Sequence, residues 1–543
     1  MAHLSSKRKA LIFVLIVAFT LVAASAFAAQ EGEAGNPFVG TFWSLVPPII
    51  AIALALITKE VHSSLFAGIL VGAFFIANGN PVSAMHTMVD DGFVAVLSDG
   101  WNVGILIFTI LLGVVSALSF KAGGTVAYGK WALKSIKTRK AAQLATVGLG
   151  CLIFVDDYFN CLTVGNVMRP VTDSHQISRA KLAYIIDSTA APVCIIAPIS
   201  SWAAAVTGVV QGYGSSPYSL FIDSIPYNFY ALFTLTMMVC MCLMDCDFGP
   251  MKVHEDNARK GDLYTTPDRP YENAANEQPN SKGKVIDLII PIFAILIPCC
   301  ILGLLYTGGL FEGETFVDAF ANCDASLGLV YGSLVGILIM FVYYIARRVM
   351  GFKDFMDCIP QGFRNMVPAV LILIFAWTLS AMTGQLGAAE YVAGVVDSAA
   401  DGLANFLPAI IMLIAAGLSF ATGTSWGTFG ILLPIVVRVL PLGNPLLVIG
   451  VGACLAGAVV GDHCSPISDT TIMASAGAQS NHVNHVSTQL PYSLTCAGVC
   501  FIFYIIAGFV QSVIVTLFGI AAMVGVMFLV KYLTKKKDAS AKA

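Results

Sequence analysis

The sequence has few charged residues and no excess of positive charge. Of its 543 residues only 11% are Asp, Glu, Lys or Arg, whereas 57% are hydrophobic. Because about a quarter of the residues of a typical soluble protein are charged, this composition excludes an ordinary soluble protein. The formal net charge is −3 and no basic patch with interleaved aromatic residues occurs, so no nucleic-acid partner is expected.

Common metal-binding patterns are also missing. The 14 cysteines include no Cys-x-x-Cys pair, and the zinc-protease pattern His-Glu-x-x-His does not occur. Most of the cysteines lie inside apolar runs, which favours packing against helices or lipid over metal binding. The sequence therefore predicts no bound cofactor.

Apolar runs long enough to span a bilayer recur along the chain, and the positions of Lys and Arg assign their sides. The basic loop Lys121–Lys140 marks the cytoplasmic side, and the acidic loop Ala388–Asn405, which has no Lys or Arg, marks the outside. A lysine-rich end places the C-terminus in the cytoplasm. The lipid bilayer is thus the first predicted partner.

An internal duplication is indicated by two similar polar stretches. The chain reads IIAPISSW around Pro198 and GDHCSPISDT around Pro466, about half its length apart. Each stretch follows a short motif that closes on a proline. The predicted divisions are a signal peptide or first membrane helix over 1–29, a first repeat over 43–244, a cytoplasmic linker over 245–284, a second repeat over 285–511, an extra C-terminal helix over 512–531 and a cytoplasmic tail over 532–543.

The linker Asp245–Lys284 is the only long polar stretch. Its mixed charges and its Pro and Asn content are typical of a linker, on which no fold should be forced.

Two interrupted apolar segments face opposite ways. Ala141–Met168 has basic residues on both flanks and is broken by FVDDYFN, whereas Phe406–Val437 has both flanks outside and is broken by ATGTSWGTFG. A segment with both ends on one side is a re-entrant hairpin. The predicted fold is therefore an all-α polytopic membrane protein with two inverted repeats, each with a re-entrant hairpin and a broken transmembrane helix. Such repeats are typical of alternating-access transporters.

The stretch Gly461–Thr471 carries the most polarity within an apolar region. Ionisable groups at this depth are costly and normally face a cavity or a partner. Pro466 has no N–H, so the carbonyl of Asp462 would lose its donor in a continuous helix. The alternative is a simple helix break in which Ser468 or Asp469 caps the next helix.

Four polar patches are expected to converge into one ion- or substrate-binding site. Its predicted members are Asp156, Asp157, Asn160, Asp187, Ser188, Thr422, Thr424, Ser425, Asp462, His463, Ser465, Ser468, Asp469 and Thr470. Carboxylate and hydroxyl oxygens are the ligands that small hard cations prefer, so Na⁺ is assigned to Asp462, Ser465 and Asp469. A buried carboxylate that holds either a proton or Na⁺ is sufficient for exchange of the two.

Some of these residues have simpler interpretations. Asp156 and Asp157 are also compatible with a turn at a hairpin tip, and Asp187 with a position near the membrane interface. His463 could bind a cation, relay protons or hydrogen-bond a neighbour. His482 and His485 could sense pH, but a solvated cytoplasmic loop is favoured.

Three motifs carry a family resemblance. FVDDYFNCLTVGNVMRPVTDSHQISRAKLAYIIDSTAAPV, ATGTSWGTFGILLPI and GDHCSPISDTTIMAS resemble the NhaC-type Na⁺/H⁺ antiporter family. The resemblance implies Na⁺/H⁺ exchange in the cell (inner) membrane, with Na⁺ and H⁺ as transported ions. It leaves an alternative open, a coupled exchanger of a small organic acid of the malate/lactate type or of an amino acid. Homodimerisation also stays open.

An enzyme is the competing class, and it is not expected. Two membrane aspartates could indicate an intramembrane aspartyl protease, but Val459 stands where the first glycine of the Gly-x-Gly-Asp pattern would be. An inverted duplication also favours a transporter, because an enzyme has no need of one.

Overall fold

The computed structural model describes residues 36–58, 60–154, 156–198, 200, 202–203, 205–206, 210, 217–269, 280–388, 390–391, 394, 404–440 and 442–542. Every regular element in these ranges is helical. The predicted segment 1–29 lies outside them, as do most of the loop Ala388–Asn405 and residues 270–279 of the linker. In the described part, seven helices are long and apolar enough to cross a membrane, or up to nine if each of two bent pairs is one span. The predicted all-α polytopic membrane fold is confirmed, whereas the inverted relation of its halves stays a prediction.

The principal helices of the first half include the predicted apolar runs and shorter segments between and after them. They are α1 (Val46–Thr58), α2 (Val61–Ile76), α3 (Gly100–Lys121), α4 (Gly124–Ser135), α5 (Arg139–Leu152), α6 (Asp157–Ser174), α7 (Arg179–Thr189), α8 (Ala191–Cys194), α9 (Pro217–Ser224), α10 (Phe229–Met244) and α11 (Pro250–Ala258).

The second half begins with a helical span over Ile286–Thr307, labelled α12, which contains a π-helical turn. The helices that follow are α13 (Ala325–Ala346), α14 (Phe352–Gln385), α15 (Leu407–Thr422), α16 (Ser425–Val439), α17 (Leu447–Cys464), α18 (Asp469–Ala478), α19 (His482–Val510) and α20 (Ile514–Lys542).

The polar motifs end helices where the sequence predicts breaks. Asp156, Thr424 and Ser468 cap α6, α16 and α18, each accepting a backbone N–H of the first turn on its side-chain oxygen. Such caps satisfy donors that have no partner within the helix. Gly423 closes α15 at φ 69°, a left-handed conformation that glycine adopts without a steric cost. The chain therefore breaks in α5–α6, α15–α16 and α17–α18.

The helix pair α17–α18 forms the centre of the molecule. Every residue of α18 is buried, and so are all but one of the residues of α17. Helix α17 packs against α15 and α16, while α18 packs against α6 and α7. The outermost helix, α20, instead exposes apolar side chains such as Leu517 and Phe518, as expected for a surface in contact with lipid.

Three segments differ from the sequence-based expectation. The linker contains a folded helix, α11, whose Met251 and Glu255 are buried, so a segment without structure was the wrong expectation for this part. The apolar run Met366–Leu386 predicts a span that begins at Met366, but helix α14 begins at Phe352, because its first turns are amphipathic and not purely apolar. Helix α20 continues to Lys542, through most of the predicted tail.

Candidate ion-binding site

Two of the helix breaks touch each other at the centre of the protein. The backbone N–H of Asp469 donates to the carbonyl of Gly423 over 3.3 Å, and the Ser465 hydroxyl donates to the carbonyl of Phe420 over 2.8 Å. A Cβ added to Gly423 would lie 2.4 Å from the carbonyl oxygen of Ile467. The α15–α16 break therefore fits directly against the α17–α18 break.

The α5–α6 break is joined to the end of α7 by Asn160. Its buried side-chain amide donates to the carbonyls of Gly150 and Ile153, each over 2.7 Å, and to that of Thr189 over 3.2 Å. These carbonyls belong to helix ends, where no backbone donor is in place. Its amide nitrogen thus fixes the shape of the break, while its Oδ1 atom is buried without a hydrogen-bond partner among the described residues, and its role as an ion ligand stays a prediction.

Asp157 and Asp469 are fully or almost fully buried and are held by aromatic donors. Asp157 Oδ2 accepts from Trp202 Nε1 over 2.9 Å and from Trp426 Nε1 over 3.3 Å. Asp469 Oδ2 accepts from the Tyr158 hydroxyl over 2.8 Å. Buried carboxylates need such donors because water is excluded from them. Trp426 follows Ser425, so the α15–α16 break reaches the carboxylate at the α5–α6 break.

Asp462 lies across the break from the start of α18. Its Oδ2 accepts from the Thr470 hydroxyl over 2.6 Å, and the Ser468 hydroxyl lies 3.2 Å from that of Thr470. Its other oxygen, Oδ1, is buried and has no hydrogen-bond partner in the described part of the chain. A buried oxygen of this kind normally has a partner, so it marks a place where a proton or a cation can bind.

A second polar cluster surrounds Asp187. Its Oδ2 accepts from Gln489 Nε2 over 2.5 Å and from the Thr471 hydroxyl over 3.1 Å. The Nε2 atom of His485 lies 3.4 Å from the same oxygen, and that of His463 lies 4.0 Å from Oδ1. Both Nε2 atoms and Asp187 Oδ1 are buried and lack hydrogen-bond partners among the described residues.

His463 and Thr471 connect this cluster to Asp462. The Thr471 hydroxyl contacts both Asp187 and, over 3.5 Å, the carbonyl of Asp462. His463 directly follows Asp462, and its Nδ1 lies 3.1 Å from the hydroxyl of Tyr230. The two clusters are therefore parts of one buried polar region.

The remaining predicted site residues have local roles or no assigned contact. The Thr422 hydroxyl donates to Leu418 within its own helix, Thr424 and Asp156 cap helices, and Ser465 contacts Phe420. The side chains of Ser188 and Ser425 are fully buried. The assignment of Na⁺ to Asp462, Ser465 and Asp469 stays a prediction.

Two expectations about local environment were wrong. His482 and His485 do not lie in a solvated loop, because both are buried; His482 Nε2 lies 2.7 Å from the carbonyl of Pro466. The carbonyl of Asp462 is not left without a donor, since α17 ends before Pro466 and the N–H of Ser465 reaches that carbonyl over 3.0 Å.

The predicted site did not include several groups of this region, namely Tyr158, Trp202, Tyr230, Trp426, Thr471 and Gln489, and His485 was considered only as a possible pH sensor. Tyr158 and Trp426 are chain neighbours of predicted site residues, so adjacency to a helix break was an available signal. Gln489 lies two turns into α19, and only its polarity within a membrane helix marked it.

A family model described as the Na⁺/H⁺ antiporter family matches residues 193–509. This match includes α15 to α18 and Gln489. The chain belongs to the Na⁺/H⁺ antiporter family. It is therefore a multi-pass membrane protein and a secondary transporter of the antiporter kind, with ions or small solutes as substrates.

Three relatives are similar to this antiporter over different lengths. An uncharacterized protein of Haemophilus influenzae is 37% identical over 516 residues, which cover 92% of this chain and 96% of that protein. The malate-2H⁺/Na⁺-lactate antiporter of Bacillus subtilis is 32% identical over 186 residues, covering 32% of this chain and 38% of its own. An arginine/ornithine antiporter of Halobacterium salinarum is 29% identical over 194 residues, covering 34% and 37%.

Proposed function

We propose that this antiporter exchanges Na⁺ for H⁺ across the cell membrane by alternating access. The observation that carries the proposal is the carboxylate of Asp462, which is fully buried at a helix break. One of its oxygens is held by Thr470, while the other has no hydrogen-bond partner in the described structure.

The chemistry of exchange follows from the cost of an uncompensated buried charge. An ionised carboxylate without water is unfavourable by several kcal/mol or more, so Asp462 needs a proton or a cation. The hydroxyls of Ser468 and Thr470 supply further hard oxygen atoms nearby, which suit Na⁺. Because one carboxylate cannot hold both ligands at once, binding of Na⁺ releases the proton.

The second candidate is a Na⁺- or H⁺-coupled exchanger of an organic acid or an amino acid. It is favoured by the names of two relatives, a malate/lactate and an arginine/ornithine antiporter, which match about a third of this chain. The described site itself offers carboxylates, hydroxyls and imidazoles but no Lys or Arg contact to an organic anion.

Purified protein in liposomes distinguishes the two candidates. A pH gradient is imposed, a pH-sensitive dye reports the internal pH, and NaCl is added to one side. Collapse of the gradient by NaCl, but not by an equal concentration of choline chloride, supports Na⁺/H⁺ exchange. Collapse that requires malate, lactate or arginine in addition would instead support the second candidate. Liposomes with the Asp462→Asn variant are the matched control for leak.

The orientation in the membrane is part of the same proposal. The loop Lys121–Lys140 and the C-terminal lysines are placed in the cytoplasm, and the loop Ala388–Asn405 is placed outside. Single cysteines in these loops, in a background without accessible cysteines, are labelled in intact cells by an impermeant maleimide. Labelling of the Ala388–Asn405 loop only after the membrane is opened would reject both this orientation and the inverted-repeat argument.

A further inference from the structure

A cavity of about 470 Å³ lies apart from the candidate ion-binding site and is bordered by cations. It is formed between α3, α4, α6, the start of α7 and α14, together with the chain that follows α11 and the residue that follows α18. Four cations line it, and one carboxylate accompanies them: Lys130, Arg169, Arg179, Arg269 and Asp173. All four cations belong to segments predicted to be cytoplasmic or to lie at the cytoplasmic ends of helices.

The cations are arranged from an exposed rim to a buried wall. Lys130 and Arg269 are exposed, Arg169 is half-buried, and Arg179 is only 8% exposed. The Tyr264 ring lies between two of them, with the guanidinium carbons of Arg179 and Arg269 at 5.3 and 4.8 Å from its centre. Such stacking holds guanidinium groups in place.

Only one of the two inner arginines is neutralised. Arg179 forms an ion pair with Asp173 at 2.7 Å and also donates to the carbonyl of Ala478 over 2.8 Å. The hydrogen bond of Arg169 among the described residues goes to the carbonyl of Gly477, at 3.3 Å. A carbonyl carries no net charge, so the guanidinium of Arg169 lacks a direct counter-ion in the described structure.

The cavity thus combines an uncompensated arginine with neutral polar side chains. Gln361, Asn365 and Gln479 also line it and can donate or accept hydrogen bonds. A guanidinium pairs with carboxylate or phosphate oxygens through two parallel hydrogen bonds, and such charge-assisted bonds are stronger than neutral ones. A ligand with one or two anionic groups would reduce the net positive charge of this cavity.

We propose that this cavity is a binding site for a small soluble anion with carboxylate or phosphate oxygens. The anion is held by Arg169 and Arg179, enters past Lys130 and Arg269, and does not require ion exchange at Asp462. The inference goes beyond the proposed function, since it concerns a second site with a ligand of the opposite charge.

The position of the cavity connects the anion to the ion-binding region. The two arginines donate hydrogen bonds to the carbonyls of Gly477 and Ala478, which are the last two residues of α18. Asp469 is the first residue of the same helix. An anion that draws Arg169 away removes a cation from the C-terminal end of α18, where cations are favourable. Anion occupancy is therefore expected to change the apparent Na⁺ affinity of transport.

The test is equilibrium binding to the purified full-length protein in phosphatidylcholine nanodiscs. Succinate and inorganic phosphate are titrated by calorimetry at constant ionic strength, with chloride as the reference anion. We expect saturable binding of at least one of the two, and Arg169→Gln should weaken it about tenfold or more, since it removes a charge-assisted pair. Arg364→Gln is the matched control, because this exposed arginine lies on α14 beside Gln361 and Asn365 but does not line the cavity.

A second variant keeps the proposal testable if the first one does not fold. If Arg169→Gln is not recovered as folded protein, Lys130→Gln/Arg269→Gln at the exposed rim should weaken binding several-fold. In buffer without Na⁺, Asp462→Asn should bind the anion as the wild type does, which separates this inference from the proposed exchange. No binding above chloride, or equal binding by Arg169→Gln and Arg364→Gln, overturns the proposal. Loss of binding when phosphatidylglycerol replaces phosphatidylcholine would assign the cavity to a lipid headgroup and overturn it as well.

Discussion

The carbonyl of Gly423 accepts the backbone N–H of Asp469 at 3.3 Å, so the break of one helix pair provides a partner for the first residue of another. Asp469 opens α18, and the first N–H groups of a helix have no partner inside it. Gly423 closes α15 with its carbonyl turned towards this position. The geometry of the candidate ion-binding site therefore depends on a residue that has no side chain.

Replacement of Gly423 by alanine should disrupt this contact. The residue has φ 69°, and a left-handed conformation costs a residue with a Cβ about 1–2 kcal/mol. The new Cβ would also meet the carbonyl of Ile467 at 2.4 Å, which forces the two breaks apart. We expect a lower unfolding temperature and loss of Na⁺-dependent proton flux, measured on purified and reconstituted protein.

Gly417→Ala is the control for this prediction. Gly417 lies in the same helix, α15, and a Cβ there meets no atom within 4 Å. Alanine is favoured over glycine inside a helix, so stability should be unchanged or slightly higher. If both alanine variants transport at the wild-type rate, close packing of the breaks is not required for function.

The sequence allowed the helix breaks and most of the buried carboxylates to be predicted. Polar runs inside apolar segments are costly unless they end helices or line a site, which is why FVDDYFN, ATGTSWGTFG and GDHCSPISDTT were informative. The structure ends helices at each of them. The predicted boundary between residues 511 and 512 coincides with the end of α19, where Gln511 caps the helix in a left-handed conformation.

The partners of these carboxylates could not be predicted, because they come from residues distant in the chain. Trp202 and Trp426 reach Asp157 from positions 45 and 269 residues away in the chain, and Gln489 reaches Asp187 from α19. In a sequence, an aromatic residue or a single glutamine in an apolar helix looks the same whether its side chain packs against neighbours or donates a hydrogen bond. The fold of α11 was missed for another reason, since the partners of its buried Glu255, namely Arg139 and Ser178, are distant in the chain.

Substitution of Asp462 and of Asp469 by asparagine should have different effects. Asparagine keeps the size and hydrogen bonding but cannot exchange a proton for Na⁺. Asp462→Asn removes the carboxylate with the unpartnered oxygen, so exchange should fall to the leak of empty liposomes. Asp469 is held by Tyr158 and by its own helix start, so Asp469→Asn should mainly raise the Na⁺ concentration for half-maximal flux.

The measurement is Na⁺-dependent proton flux in liposomes over a range of Na⁺ concentrations. Asp91→Asn is the matched control, because Asp91 is exposed and far from the breaks in the chain. Wild-type flux through Asp462→Asn would reject the assignment of the exchanging carboxylate. An Asp469→Asn protein without any flux would mean that the two carboxylates share one ion.

Gln489→Leu should separate α19 from the polar region. The amide of Gln489 donates to Asp187 over 2.5 Å and to the carbonyl of His463 over 3.0 Å, and leucine can replace neither bond. Leaving a buried acceptor without its donor costs about 1–3 kcal/mol. We expect a lower unfolding temperature and weaker apparent Na⁺ affinity. Gln385→Leu, at an exposed position on α14, is the control and should change neither quantity. If Gln489→Leu has the apparent Na⁺ affinity of the wild type, Asp187 lies outside the transport site.

Glu255→Gln should weaken the packing of the linker helix α11 against the rest of the protein. The buried carboxylate of Glu255 accepts from the guanidinium of Arg139 and, over 2.8 Å, from the backbone N–H of Ser178. These contacts join α11 to the starts of α5 and α7, so the loss of the charge leaves Arg139 without its partner and weakens docking of the linker. Breaking a buried ion pair in this way costs about 3–5 kcal/mol.

Limited proteolysis of the purified protein measures this release. Glu255→Gln should be cut within residues 245–284 at a protease concentration that leaves the wild type intact, with the membrane helices still resistant. Asp256→Asn is the control, since Asp256 is 53% exposed and pairs with Lys252 at 3.5 Å; exposed pairs of this kind contribute about 0–1 kcal/mol. Equal protease resistance of Glu255→Gln and Asp256→Asn would show that apolar contacts such as Met251, and not the Arg139–Glu255 pair, hold the helix in place.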